Sequence, residues 1–234
     1  MNYVIPAAGM GTRMGARENP LPKCLIRIGA ETLLERLIRQ IRTFDNNAAI
    51  YIVAGFKNEA VAGHARGCQI IVNPFFDITG INASLWFARE GFTDAVTVIH
   101  GDIVFSDILI RDMLACGHAS YMGYDSSILD PKELNVRVAD GRIERFGVKF
   151  AGYSGAYTGV IRFKREHARL FAGLLDKRMQ RGFNEKRTYY FQFIRAMLND
   201  HGADIRAFDF AGYGWAEIDY LQDIDRARRL AGQP

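Results

Sequence analysis

The sequence predicts an α/β protein whose central sheet is mixed and mostly parallel, with helices on both faces and a small antiparallel insert. Three observations carry this. Strand-like apolar runs alternate with helix-periodic segments through the first half of the chain, a glycine-rich turn directly follows the first strand, and Asp140-Gly141 separates two short strand-like runs. Such alternation is the pattern of βαβ units, and Asp-Gly between short strands is the strongest local hairpin signal.

Tyr3–Ala8 is the first strand. Thr32 is placed to cap a helix whose apolar positions Leu33, Leu34, Leu37, Ile38 and Ile41 recur at helical spacing, and Ala49–Val53 follows as a second strand. Cys68–Val72 reads as a strand, Ala83–Phe92 as a helix, Ala95–Ile99 as a strand of almost unbroken β-propensity, and Ile108–Cys116 as a helix. From Ser120 the pattern changes, because Asn135–Val138 and Ile143–Gly147 flank the Asp-Gly turn. Ala156–Phe163 returns as a strand, Glu166–Met179 and Tyr189–Asp200 read as helices, Ile205–Phe210 and Trp215–Ile218 as late strands, and a closing helix runs near Gln222–Leu230. With neither a repeat nor an obvious linker, the expectation is one domain over residues 1–234, with an insert at about 120–160.

A chain of 234 residues that is 49% apolar can bury a large core. It contains no uncharged apolar run of about 18 residues and no leader pattern at its start, so a soluble cytoplasmic protein without membrane insertion is expected. Cys24, Cys68 and Cys116 are odd in number and widely spaced, which indicates neither a disulfide frame nor a zinc site. The net charge of +4 is spread along the chain rather than gathered into a basic stripe with interleaved aromatics. That disfavours nucleic acid as a partner and suits small anionic molecules.

The segment Ala7-Ala8-Gly9-Met10-Gly11-Thr12-Arg13-Met14-Gly15 lies where backbone N–H groups of a glycine turn can surround a polyphosphate. Met14 stands where a dinucleotide-binding loop needs its third glycine, and the Gly-Lys-Ser/Thr of a Walker loop is absent. What remains is Gly-x-Gly-Thr-Arg followed by Leu21-Pro22-Lys23, two cations beside a flexible turn. A tight turn with solvated Arg13 and Lys23 is the plainer alternative for the glycines alone.

Asp102 ends the central strand in Val98-Ile99-His100-Gly101-Asp102, and ligands of open α/β sheets bind outside the carboxyl ends of strands. A carboxylate there can hold Mg²⁺, which needs only one or two acids beside water and phosphate oxygens. Period-two alternation puts Glu217 and Asp219 on one side of the late strand, and Asp219 is the second candidate ligand. Both acids could instead cap the helices that follow, although Ser106 or Asp107 is better placed than Asp102. His100 reads as a structural histidine, since magnesium chemistry does not call for it.

The loop, Pro22-Lys23 and the following Leu25-Ile26-x-Ile28-Gly29-x-x-Thr32-Leu33-Leu34-Glu35 resemble the signature of the nucleotidylyltransferase superfamily, the nucleoside-diphosphate-sugar pyrophosphorylases and their relatives. Further stretches resemble its phosphocholine and aminoethylphosphonate cytidylyltransferase branch: Val53-Ala54-Gly55-Phe56-Lys57, Asn73-Pro74-Phe75-Phe76-Asp77, Asn82-Ala83-Ser84-Leu85, Gly101-Asp102, Lys149 ahead of Tyr153-Ser154-Gly155-Ala156-Tyr157-Thr158-Gly159, and Glu217-Ile218-Asp219 with Asp223. Methylerythritol-phosphate cytidylyltransferases open similarly, but their Asp-Ala-Ala-Arg segment is replaced here by Gly101-Asp102-Ile103-Val104.

The resemblance implies a Rossmann-like, glycosyltransferase-A-like fold and transfer of a nucleoside monophosphate, CMP from CTP, to a small phosphomonoester or phosphonate with release of pyrophosphate. It implies catalytic roles for Arg13, Lys23 and Lys149, the last meeting the acceptor phosphate. Ala7, Ala8, Gly9, Gly11, Thr12, Gly55, Asn73, Asn82, Ser84 and Gly101 would surround the nucleotide, with Asp102 and Asp219 on Mg²⁺. The insert at 120–160 would bind the acceptor. A choline headgroup would call for an aromatic cage, for which Tyr124, Tyr153, Tyr157, Tyr189, Tyr190, Phe191 and Trp215 are candidates, with Glu217 nearby. No acid accompanies Tyr189-Tyr190-Phe191-Gln192, a departure from the choline-type pattern. A monomer or homodimer is expected. Three alternatives stand beside this reading: a sugar-1-phosphate nucleotidylyltransferase, a binding module that has lost catalysis, and a nucleic-acid protein.

Overall fold

A computed structural model describes residues 1–11, 21–182 and 190–232. Strand β1 (Asn2–Ala7) is followed, past a 3-10 turn at Lys23–Leu25, by a short ladder of β2 (Arg27–Ile28) and β3 (Glu31–Thr32) leading into helix α1 (Leu33–Phe44). Thr32 caps α1 as the sequence indicates: its Oγ1 accepts from the Glu35 amide at 3.2 Å, and Glu35 Oε2 accepts from the Thr32 amide at 2.8 Å. This reciprocal box satisfies two otherwise orphaned amides at the helix start. Then come β4 (Ala49–Ala54), α2 (Asn58–Gly63), β5 (Gln69–Val72), α3 (Ile81–Phe87), β6 (Val96–Ile99), β7 (Ile103–Phe105) and α4 (Asp107–Ala115). The second half contributes β8 (Tyr121–Asp125), β9 (Asn135–Ala139), β10 (Arg142–Gly147), β11 (Gly155–Phe163), α5 (Arg165–Met179), α6 (Tyr190–Asn199), β12 (Arg206–Asp209), β13 (Trp215–Glu217) and α7 (Asp223–Leu230).

Nine strands form one mixed sheet in the order β5-β4-β1-β6-β11-β8-β12-β10-β9. Pairings from β5 through β6 are parallel, β11 runs antiparallel to both β6 and β8, and β12 returns parallel to β8. Successive side chains of the parallel strands alternate between two cores. Ile5, Ile52 and Ile99 face Leu34, Leu37, Ile41 and Met113 of α1 and α4, whereas Val4, Val53 and Val98 face Leu85, Phe171 and Ile194 of α3, α5 and α6. The result is the expected α/β sandwich with helices on both faces.

Several boundaries differ from the sequence reading. The helix read as Ala83–Phe92 ends at Phe87 and continues as a 3-10 turn over Arg89–Thr93. Gly91 explains the change, since a Cβ there would lie 2.8 Å from Val4 Cγ2, so the chain presses against β1 where a regular helix would stand off. The stretch 120–160 is not a separate insert: β8, β9, β10 and β11 are four of the nine strands of the main sheet. The Asp140-Gly141 hairpin is present, with both residues left-handed (φ 49° and 71°) as a two-residue primed turn requires. Among the described residues, no helix is long and apolar enough to cross a membrane.

Candidate active site

The cleft opens where β1 and β6, paired in parallel, end side by side, at the carboxyl edge where open sheets receive ligands. The Gly101 amide donates to Pro6 O at 3.2 Å, and a Cβ at Gly101 would stand only 3.2 Å from Ala7 Cβ. A glycine therefore lets the two strand ends approach. Gly11 is left-handed (φ 63°), and a Cβ on it would fall 2.9 Å from Lys23 Cγ, so the glycine turn rests on the lysine stem. Open space surrounds Gly9. Two adjoining cavities, of about 230 and 270 Å³, meet at Pro6, Gly9 and Asp102. Ala7, Gly11, Lys23, Gly101 and Asp219 line the first; Ala8, Asn73, Ser84 and His100 line the second.

Lys23 is held between two carboxylates. Its Nζ donates to Asp219 Oδ1 and lies 3.5 Å from Asp102 Oδ2, with the lysine side chain only 15% exposed. Neither acid is spent as a helix cap: Ser106 Oγ accepts from the Leu109 amide at the start of α4, and the residue capping α7 is Gln222. Instead Asp223 Oδ2 accepts from the amides of Asp219 (2.9 Å) and Tyr220 (2.7 Å), pinning the turn that carries Asp219.

A two-stranded ribbon brings the distant acids together. Strand β13 runs antiparallel to β7 with Glu217 opposite Ile103, and the Ile218 amide donates to Asp102 O at 2.9 Å. Ile218 is buried while Glu217 is exposed, which is the alternation the sequence suggests for this strand. Glu217 turns toward a group the sequence reading set aside. One ligand atom each from His100, Asp102 and Glu217 lie within 4.8 Å of one another. Withdrawal from water, then the charges of Asp102 and Asp219, push the Glu217 carboxyl up to about 8, with Lys23 opposing. Burial lowers the His100 pKa, with Asp102 opposing.

The second cavity is organised by Asn73. Its Nδ2 donates to Ser84 Oγ at 3.1 Å and Thr79 Oγ1 at 3.2 Å, and its Oδ1 accepts from the Phe75 amide. Ser84 therefore sits inside α3, buried, rather than at a helix start. Asn82 is buried in the same helix. Gly55 supports the cavity from behind, because a Cβ there would strike Phe76 Cβ at 2.5 Å and Ala8 Cβ at 2.9 Å.

The remaining candidates fall elsewhere. Lys149 is exposed on the turn after β10, in a left-handed conformation (φ 54°), and lines neither cavity. Trp215 is a core residue whose indole donates to Asp125 Oδ2 at 2.7 Å. Tyr190 and Tyr157 are buried, their hydroxyls 3.5 Å apart, with Phe146 packed on both rings and Phe191 beside it. Tyr124 engages Asp209, and Tyr153 packs edge-on against Phe150. Among the described residues these rings fill space between elements rather than encircle an open pocket. Thr12, Arg13 and Tyr189 lie outside the described residues.

The family model for the MobA-like NTP transferase domain matches residues 3–131, more than half of the 234-residue chain. The chain belongs to this family. The match includes the glycine turn, Lys23, Asn73, Ser84 and Asp102, and ends before the β13 ribbon. A bifunctional IPC transferase and DIPP synthase of Rubrobacter xylanophilus is 30% identical over 228 residues, covering 93% of this chain and 49% of that protein. The chain thus spans about half the length of such curated relatives. The CTP:phosphoglutamine cytidylyltransferase of Campylobacter jejuni is 20% identical over 251 residues, covering 96% of this chain and 98% of that protein. Among solved structures, the CTP:phosphocholine cytidylyltransferase of Streptococcus pneumoniae matches with a TM-score of 0.77 at 20% identity over 98% of each chain, a likeness of fold.

Proposed function

We propose that this NTP transferase domain is a cytidylyltransferase that joins CMP, from CTP, to a small phosphomonoester or phosphonate and releases pyrophosphate. The observation that carries the reading is the Lys23 ammonium held between Asp102 and Asp219 in the first of two adjoining cavities, which is walled by glycines. The glycine turn gives a triphosphate backbone amides and room, and Lys23 gives it a fixed cation. Choice of CTP is supported by the activity named for the Campylobacter relative.

The acceptor phosphate, with a second pKa near 6, is largely ionised at neutral pH and attacks the α-phosphorus without a general base. That accords with a cleft offering alignment and charge rather than a nucleophile–base pair. Asn73, Ser84 and Ala8 are assigned to the ribose and base, and the first cavity to the phosphates. Mg²⁺ fits the pair Asp102 and Asp219, because their convergence on one ammonium shows that the pocket gathers oxygen donors around a cation, and it would supply neutralisation of phosphate charge. Arg13 is assigned to the triphosphate alongside Lys23.

The test is incubation of the purified chain with each of four nucleoside triphosphates and a library of phosphomonoesters, phosphonates and sugar 1-phosphates, read by pyrophosphate release and product mass. A CDP-linked product from a non-sugar acceptor is expected. Products from sugar 1-phosphates alone would replace this reading with the sugar-nucleotide one, and no product with any pair would remove it.

A further inference from the structure

We propose that Arg137, Arg145 and Arg195 form a second anion site, outside the cleft, that takes a phosphate dianion or a phosphomonoester group. The site goes beyond the proposed function and does not rest on it. The three guanidinium groups line a pocket of about 280 Å³ between β9, β10 and α6, together with Glu144, Leu198 and Asn199. That volume is close to the roughly 300 Å³ at which small-molecule pockets begin. None of these six residues lines either cavity of the cleft.

The strand register singles this pocket out. Antiparallel β9 and β10 pair Arg142 with Ala139 and Ile143 with Val138, so the next regular partner of Arg137 would be Glu144. A β-bulge at that point passes Glu144 over and sets Arg145 opposite Arg137 instead. An opposite-charge pair has been exchanged for a like-charge one, and like charges directly opposite on neighbouring strands are destabilising. Bulges are devices that re-aim side chains. The displaced Glu144 carboxylate stays 3.8 Å from Arg137 Nη1, too far for a hydrogen bond.

Both arginines are nevertheless held in place. The Arg145 and Arg137 guanidinium carbons lie 4.7 and 5.8 Å from the centre of the Phe150 ring, so one ring face serves two cations. Arg137 Nε donates to Gly152 O at 2.9 Å and its Nη2 to Ala151 O. Gly152, left-handed at φ 68°, leaves room for this, since a Cβ there would stand 3.1 Å from Nη2. Arg195 enters from α6, which is docked on β10 through Phe191 against Phe146. Carbonyl oxygens and a ring position these charges without neutralising them, and among the described residues neither Arg145 nor Arg195 has a carboxylate partner. Three guanidinium groups against one carboxylate leave the pocket an excess of two positive charges. Guanidinium forks match phosphate oxygens bidentately, and an anion between Arg137 and Arg145 replaces their repulsion with attraction to a common partner.

The experiment titrates the full chain with inorganic phosphate and follows the arginine Nε–H NMR signals, assigned with Arg137→Lys, Arg145→Lys and Arg195→Lys. Saturable shifts of these three signals are expected, absent with chloride at equal ionic strength and retained when Lys23→Ala removes the fixed cation of the cleft. Arg145→Gln is expected to weaken phosphate by about tenfold or more, the worth of a hydrogen bond to a charged group. Shifts that stay linear in phosphate, shifts that chloride reproduces, or unchanged affinity in Arg145→Gln would overturn the site. Should Arg145→Gln fail to fold, Arg195→Gln, on a different element, decides in its place. Vesicles of phosphatidylcholine with and without phosphatidic acid separate the two sources of a phosphomonoester. Sedimentation with phosphatidic acid that Arg145→Gln abolishes supports the site as one for a lipid headgroup, and saturable phosphate binding without sedimentation supports it as one for a soluble ester.

Discussion

The two halves of the sheet use their strand ends differently. At the parallel end, β1 and β6 stop together and leave a gap floored by Gly9, Gly11 and Gly101, with Lys23 and Asp102 at its edge. Toward the antiparallel end, β10, β11 and α6 supply aromatic rings, and Phe146, Tyr157 and Tyr190 close on one another instead of on open space. Polar chemistry is thus concentrated where the backbone is bare, and the large rings stiffen the wall behind it. Substitutions in the first region should act on rate, and those in the second on stability.

The largest effect is expected for Asp102→Asn, which should cut turnover by about 10³-fold or more while leaving the melting temperature nearly unchanged. Near wild-type turnover would break the comparison at its first term. Lys23→Ala should lower kcat by about 10²–10³-fold, the typical worth of one fixed group serving developing charge. Steady-state kinetics with the acceptor found by screening would check it.

Trp215→Phe probes the core on the other face of the sheet from that ring cluster. It removes the indole donor to the buried Asp125 carboxylate, whose remaining partners are the Ser127 amide and hydroxyl. The loss of a hydrogen bond to a charged group is worth about 1.5–3 kcal/mol, readable by urea unfolding. A variant of unchanged stability but poor turnover would reassign Trp215 to the cleft.

The smallest effect concerns Glu35, outside both regions, whose carboxyl the Thr32 amide and then His64 hold down at about 2 instead of 4.5. A depressed carboxyl stabilises the fold above the unfolded value and loses that contribution as pH falls through the folded one. Stability should therefore decline from about pH 4.5 toward 2, and Glu35→Gln should flatten that part of the curve. An unaltered acid limb in the variant would show that the capping box contributes nothing there.

What could be read from the chain follows the range of the interactions involved. Tyr3–Ala8, the Thr32 box, the Asp140-Gly141 turn and the Ala7–Gly11 part of the glycine loop are each written in neighbouring residues, and each stands where expected. Strand β7 is only three residues long and pairs with a partner over a hundred positions away, so no local pattern announces it. Strand β8, Tyr-Met-Gly-Tyr-Asp, is nearly all buried and lacks the alternation that marks a strand with one wet face. His100 was legible as a strand-end residue but not as a neighbour of Glu217, because that proximity depends on the β7–β13 register. The described aromatics were ambiguous for the opposite reason: their composition suits a cage and a core equally, and only packing distinguishes the two.

The ribbon of β7 and β13 also sets an order of assembly. Asp102 emerges from the ribosome more than a hundred residues ahead of Glu217 and Asp219. A nascent chain can build the glycine-walled gap early, yet the acids that complete it arrive only after all the intervening strands have been made. Until then the growing polypeptide holds one carboxylate where the folded domain gathers three.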